Sequence, residues 1–546
     1  MSLPLVYLRC IYGLIKFNAA NILFMLNLKN YHSGKLIYAC LLIYASGVAL
    51  LMGAPAGSGL DYAALTLHPV ERQLFLDDFI LGDLYRVARI IHQPRKYGTD
   101  PILRPDLPTD GNVIQTRNAP SWDEQEQVWK LWYFRFGHDG NGAGAPGYAR
   151  SKDGINWTKP VLGLVESLGN RNNNLATVKD EPEAFIQHVI IDPNAPPARR
   201  YKGLTGTRGN RPGREPIVSA DGLTFTRLPV APIPSEDESH LNWDERKQQY
   251  ILTVKHKGPF GRSVYLSLSK DFENWSKPEL IYHADAQDQV LGAQYMREVA
   301  ANPRMWRPTI NQPEEYNVEI YNMAVFPYEG LYIGLPNYFE SSGRIPLPRG
   351  NQDGINSPKL ASSRDLRAWN RVGDRAHFIP VSEMGPGIGD TGQIMATSHP
   401  IRMGDELWFY YSGMDVRYRP NSLQRASDGY QYHGGIYLAK LRVDGFVSMH
   451  ADAEGGFLDT RPVVIAGQHL YINAEAAGEI RAEITTADGR TALPGWGIAQ
   501  CEPVLGDHTR VELRWADRQL TELQGKSVRI RFHLKNADLY SFWLEL

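Results

Sequence analysis

A short pattern, Ser-x-Asp-x-x-x-aromatic, returns four times along the chain and constrains its fold more than any other feature. The copies run Ser151 to Trp157 (SKDGINW), Ser219 to Phe225 (SADGLTF), Ser269 to Trp275 (SKDFENW) and Ser363 to Trp369 (SRDLRAW). A degenerate fifth, RVDGFVS, runs from Arg442 to Ser448. Repeats spread over several hundred residues, each too small to bury its own apolar face, point to radially or linearly stacked units. The local physics is that of a hairpin. Asp accepts from backbone two residues on, Gly tolerates positive φ, and the following aromatic turns back into the sheet.

Segments rich in aromatic and β-branched residues precede the copies, as strands require. Examples are Val128–Phe136, Tyr250–Val254, Leu331–Leu335 and Glu406–Tyr411. Units one and three also share a turn, Trp122-Asp123-Glu124 and Trp243-Asp244-Glu245. With no long amphipathic helix in the pattern, five units of roughly four strands read as an all-β, five-bladed β-propeller over residues 70–455. A plain β-sandwich is the alternative for an all-β chain, and the repeat argues against it. Residues 456–546 carry further strand signals, His469–Asn473, Glu479–Thr485, Arg510–Trp515 and Val528–Lys535, and read as a small C-terminal β-sandwich. Gln73–Leu81 (QLFLDDFIL) reads as a strand that closes the ring on the last blade, removing a free edge.

Composition enters in three places. A formal charge of −2 over 546 residues leaves no global basic field for nucleic acid. Of three cysteines, Cys10 and Cys40 fall in the first 56 residues, so Cys501 alone remains and no intramolecular disulfide forms without them. Those 56 residues contain no acid. Their apolar run Leu36–Met52 follows Lys29 and Lys35 and ends in Gly53-Ala54-Pro55-Ala56, the layout of a secretory signal peptide, or of an uncleaved anchor if the run spans a membrane. The expectation is a periplasmic or secreted protein that meets a membrane only through this segment.

Candidate chemistry follows from the acids ahead of each blade's second strand. Asp237 and Glu319 share one offset before Tyr250 and Tyr332, and Glu183 and Asp390 share a longer one before Tyr201 and Trp408. In the first blade the matching position is Thr116, and the nearest acid upstream is Asp110. A ring of carboxylates at one end of a channel suits glycoside hydrolysis, which needs one protonated and one ionised acid. Glu238 stands beside Asp237 as a substrate contact. Three stretches read as rim loops: Gly137–Gly147, Phe339–Asn356 and Met414–His433. The last holds Arg417, Tyr418, Arg419, Tyr430, Tyr432 and His433, of which Arg419, Tyr432 and His433 are candidates to bind an anionic or polyhydroxylated ligand. No His/Asp cluster has metal-ligand spacing, so no cofactor is expected, a structural Ca²⁺ in the channel staying open.

The order LFLDDFI, SKDGINWTKP, NWDERKQQY, SLSKDFENWSKPELI, VFPYEGLYIGL, DELWFYYSG and LRVDGFVSM resembles exported proteins of polysaccharide-degrading bacteria. Through them it is similar to the five-bladed propeller glycosidases of glycoside hydrolase families 32, 43 and 117. That resemblance implies three acids drawn from the first three blades: Asp110 or Asp78, then Glu183, then Asp237 or Glu238. The first blade departs from the family pattern, which leaves Glu319 and Asp390 as further candidates. The expected activity is exo-hydrolysis of plant or algal polysaccharide fragments. The alternatives are a polysaccharide lyase using Tyr432, His433 and Arg419, or a non-catalytic glycan-binding propeller.

Overall fold

The computed structural model describes residues 63–136, 144–206, 213–347, 350–415, 417 and 434–546. The N-terminal segment and the candidates Arg419, Tyr432 and His433 lie outside the described residues, as do Tyr418, Tyr430 and most of the first and last rim stretches. Residues 63–546 form one compact, mostly β unit.

Five antiparallel arrays follow one another along the chain. In the first, Val113–Gln115 and Ser121–Asp123 are two pieces of one broken strand, both paired to Val128–Phe136, with Gly147–Ser151 and Trp157–Thr158 outside. The second runs Ile186–Ile191, Tyr201–Gly206, Arg214–Ser219 and Thr224–Arg227. The third runs Ser239–Asp244, Gln249–Gly258, Gly261–Ser269 and Glu279–Tyr282. The fourth starts with Asn317–Tyr328 and Leu331–Arg344, and the fifth pairs Gln393–Ala396 and Ile401–Met403 with Glu406–Met414, then Gly434–Arg442. A single parallel bridge, Asn356 to Gln393, joins the last two.

Apolar side chains fill the gaps between successive arrays in cyclic order. Trp132, Ile186 and Tyr201 pack between the first and second, and Leu204, Leu241 and Tyr250 between the second and third. Val264, Val318 and Tyr338 fill the next gap, and Ile333, Ile394 and Phe409 the one after. Leu131, Ile401 and Tyr410 then bring the fifth array against the first. Along the axis the first strands bond to one another through polar side chains. Asn242 donates from Nδ2 to the carbonyls of Val325 and Ser398 (both 2.7 Å), and Asn118 Oδ1 accepts from the Val189 amide (2.7 Å).

The repeated pattern forms one turn four times over. Asp153 Oδ1 accepts from the amides of Ile155 (2.9 Å) and Asn156 (2.8 Å), while the Trp157 indole donates to Gly154 O (3.0 Å). Asp221, Asp271 and Asp365 repeat the backbone bonds. The residue after each Asp has positive φ. Gly fills it in two copies, and in the other two Phe272 and Leu366 (both φ 69°) accept the strained backbone with their side chains fully buried.

Three expectations are corrected. Gln73–Leu81 does not close the ring: Gln73–Leu74 pairs with Ser541–Phe542, because Leu74, Phe75, Leu76 and Ile80 bury into the core beneath the C-terminal strands. The strand laid on the fifth array is instead Arg95–Lys96, against Ala439–Lys440. Phe339–Asn356 is largely strand rather than loop, since its small polar residues Ser341 and Ser342 are buried where the strands Leu331–Arg344 and Gln352–Pro358 pair. A 16-residue helix, Ala286–Ala301, stands between the third and fourth arrays. It buries only Asp288, Gly292, Met296 and Val299, so no apolar stripe marks it in the sequence.

The C-terminal region forms one connected ten-stranded sheet that draws strands from both flanks of the arrays. Leu65–Thr66, Gln73–Leu74, Leu81–Tyr85 and Ala88–Ile91 come from before them, and His469–Thr486, Val504–Glu512 and Ser527–Glu545 from after. The two longest strands slip register beside Ala474 and between Ala476 and Glu479, which bends the sheet.

Candidate functional site

The predicted acids lie at or just ahead of the first strand of each array. The structure sorts them there. Asp110 is fully buried, accepting from Tyr133 OH (2.8 Å) and Lys159 Nζ (2.7 Å), and acts as a structural carboxylate of the first array. Asp78 is exposed beside Arg89, away from this end. Asp390 is also buried, held by Lys96 Nζ (2.7 Å) and Tyr411 OH (2.9 Å). Glu183 stands on the rim with its side chain 56% exposed, paired to Arg135 Nη2 at 3.1 Å.

Asp237, Glu238 and Glu319 come together with a set of cations that the acid-by-acid reading passes over. Glu238 is buried and gripped bidentately by Arg117, with Nε to Oε2 at 2.8 Å and Nη2 to Oε1 at 2.7 Å. Asn322 Nδ2 donates to Oε2 at 3.0 Å, and Gln115 Oε1 accepts from Arg117 Nη1 at 3.3 Å. Burial alone would raise this carboxyl. Arg117, aided by Lys255 and Asn322, outweighs burial and brings it down to about 2. Glu238 is therefore a permanent anion and Arg117 a permanent cation.

Asp237 takes the opposite setting. Its side chain is 62% exposed and pairs with Lys255 Nζ, whose ammonium stands 4.2 Å over the Tyr321 ring. Glu319 completes the group from the next array, paired to Arg262 Nη1 at 2.5 Å, and that same nitrogen donates to Gln352 Oε1 at 2.9 Å. The guanidinium of Arg417 stacks on Phe339 (4.4 Å) and lies 5.3 Å from the centre of Tyr321. Three cations thus converge on one half-buried tyrosine between two carboxylates, a setting in which opposed charges are fixed before a ligand arrives.

Below this rim the axis is lined by His188 and His240, ring centres 5.7 Å apart. Burial, with Arg117 nearby, lowers His240 to about 3, so it is neutral. Glu340 is the one acid here that burial raises to about 7. It lies off the rim, beneath the helix, with Lys359 Nζ at 3.4 Å and His377 Nε2 at 3.6 Å, and is remote from solvent. Among the described residues no group of three or more His, Cys, Asp and Glu is placed to hold a metal.

No family model and no curated protein matches the chain. Solved structures do. A family 43 arabinoxylan arabinofuranohydrolase from Bacillus subtilis is 11% identical, over 82% of this chain and 99% of its own, with a TM-score of 0.35. A fructofuranosidase from Schwanniomyces occidentalis is 10% identical, over 83% and 100%, with a TM-score of 0.35. An N-acetylgalactosamine deacetylase from F. plautii is 12% identical, over 66% and 96%, with a TM-score of 0.39. The chain is similar to solved glycoside hydrolases, and also to an enzyme with a different carbohydrate chemistry.

Proposed function

We propose that this chain is a glycoside hydrolase built on a five-bladed β-propeller, with Asp237 and Glu319 as its working acids. The observation that carries the reading is the convergence of Asp237, Glu238 and Glu319 at one end of the first strands. Asp237, exposed and held by one lysine, is the base or nucleophile. Glu319, drawn in beside Tyr321 and Arg262, is the proton donor to the leaving oxygen. Glu238 stays ionised against Arg117 and holds that guanidinium in place, a positioning role for which neither group needs to titrate. The two working acids differ in exposure, the Asp237 side chain at 62% and that of Glu319 at 15%.

The finer reading is an exported, exo-acting enzyme on plant or algal polysaccharide fragments. Residues 1–56 then form a signal peptide or anchor, and the bent C-terminal sheet is an appended β-sandwich. Cyclic packing of the five arrays and the closing strand Arg95–Lys96 support the propeller; the acid-free, apolar N-terminus supports export.

The test is a product screen of the protein on plant and marine polysaccharides, with Asp237→Asn and Glu319→Gln in parallel. Both variants are expected to keep the wild-type melting temperature and to lose at least about 100-fold in turnover. Full activity in both removes them from the catalytic set. A polysaccharide lyase is the second reading, favoured by Lys255, Arg262 and Arg417 around Tyr321, which suits a uronate and a phenolic base. Unsaturated rather than saturated non-reducing ends among the products would establish it.

A further inference from the structure

At the far end of the same first strands lies a cavity of about 420 Å³, within the range of small-molecule sites. All five arrays reach it through the last residues of those strands, and the acids stand at the first residues. Six-residue strands such as Ser239–Asp244 separate the two ends by roughly 17 Å. The turn shared by the first and third arrays leads here: its tryptophans, Trp122 and Trp243, both line the cavity, with Trp129 and Tyr328. All four rings are half-buried, exposing aromatic surface into the opening.

The floor is polar and uncharged. His399 Nδ1 lies 2.8 Å from Asn242 Oδ1, and both nitrogen–hydrogen bonds of Asn242 are spent on backbone carbonyls. The imidazole must therefore donate from Nδ1, which leaves Nε2 as an acceptor. Burial lowers His399 to about 4, so at neutral pH it carries no charge. Flat aromatic faces suit the C–H face of a sugar ring, and a neutral acceptor between them suits a hydroxyl. The one charged residue in the lining is the exposed Arg402.

We infer that this cavity is a second carbohydrate site, binding a neutral sugar ring between Trp122, Trp129 and Trp243 with a hydroxyl donated to His399 Nε2. It is separate from the carboxylate rim and needs none of the rim residues.

The probes are cellotriose, xylotriose and β-1,3-galactotriose, titrated by calorimetry and by tryptophan fluorescence. At least one is expected to bind saturably to wild type and equally to Asp237→Asn. Trp243→Ala and Trp122→Ala are expected to weaken that binding at least tenfold, Trp243→Phe to retain most of it, and His399→Ala to weaken it with the melting temperature unchanged. Three results overturn the inference: no probe binds; binding is lost in Asp237→Asn but kept in the folded tryptophan and histidine variants; or wild type dimerises through this face, seen by sedimentation as association lost in Trp243→Ala. Failure here leaves the proposed hydrolase untouched, since the rim variants are read by turnover.

Discussion

The pair Arg117–Glu238 concentrates the electrostatics of the rim in two residues. Removing one partner of a buried ion pair strands the other's charge, so Arg117→Met is expected to cost about 3–5 kcal/mol in urea unfolding at pH 7. The pH dependence carries a sign. The folded value of Glu238 is near 2 against an ordinary 4.5, so the contribution of the pair is fully present above about pH 4.5 and is lost as pH falls toward 2. In Arg117→Met only Lys255 and Asn322 oppose burial, and that acid arm shrinks. Denaturation curves of both proteins from pH 2 to 7 measure it, and an unchanged arm in the variant would assign it to other carboxylates. Asp237 and Glu319 were legible in the sequence as acids at one offset from a strand aromatic, and Glu238 only as the neighbour of Asp237. Arg117 was not. The matching position in the first array is Thr116, one residue short of the cation that pairs with Glu238. Asp390 shares its offset with Glu183, and Asp110 is only the nearest acid upstream in the first array; the phenols and lysines that occupy both come from strands whose facing no spacing reveals.

Between elements, one contact recurs at three seams. The aromatic opening the second strand is a tyrosine in the second, third and fourth arrays, and each donates its hydroxyl to an aspartate at the hairpin of the preceding array. Tyr201 bonds Asp123, Tyr250 bonds Asp192, and Tyr332 bonds Asp244 at 2.5 Å. Burial first, and then the adjacent carboxylate, raises all three phenols, so they remain donors. A hydrogen bond to a buried charged acceptor is worth about 1.5–3 kcal/mol. Tyr250→Phe and Tyr332→Phe should each lower stability by that amount, and the double variant by close to the sum, because the seams are separate. Thermal and urea unfolding of the three proteins test this; a strongly sub-additive double variant would mean that the seams share one relaxation. The fifth array breaks the series with Trp408, whose indole bonds Glu406 of its own strand. The aromatics themselves were plain in the sequence. Their partners were not, since each lies in the unit before.

At the scale of the molecule, the C-terminal sheet cannot be separated from the ring. Its strands include Ala88–Ile91 and Val447–Ala451, and its core is continuous with that between the fourth and fifth arrays. Deleting residues 456–546 would uncover Leu74, Phe75 and Ile80, so the truncated chain should be insoluble or lack a cooperative melt, whereas the intact one should unfold in a single transition by calorimetry. Two well-resolved transitions in the intact chain would show the sheet to be independent. The repeat told where the blades lie and hid this join, because strands as short as Leu65–Thr66 and Gln73–Leu74 leave no periodicity to read.

The same weave has a mechanical side. The segments that flank the arrays, residues 65–91 and 527–545, are bonded to each other through Gln73–Leu74 on Ser541–Phe542 and through Val463–Val464, which lies between Leu65–Thr66 and Ser527–Val528. Tension applied through these flanks loads that clasp and bypasses the ring. The rim carboxylates and the aromatic cavity then sit in a part of the chain that bears no load until the clasp has parted.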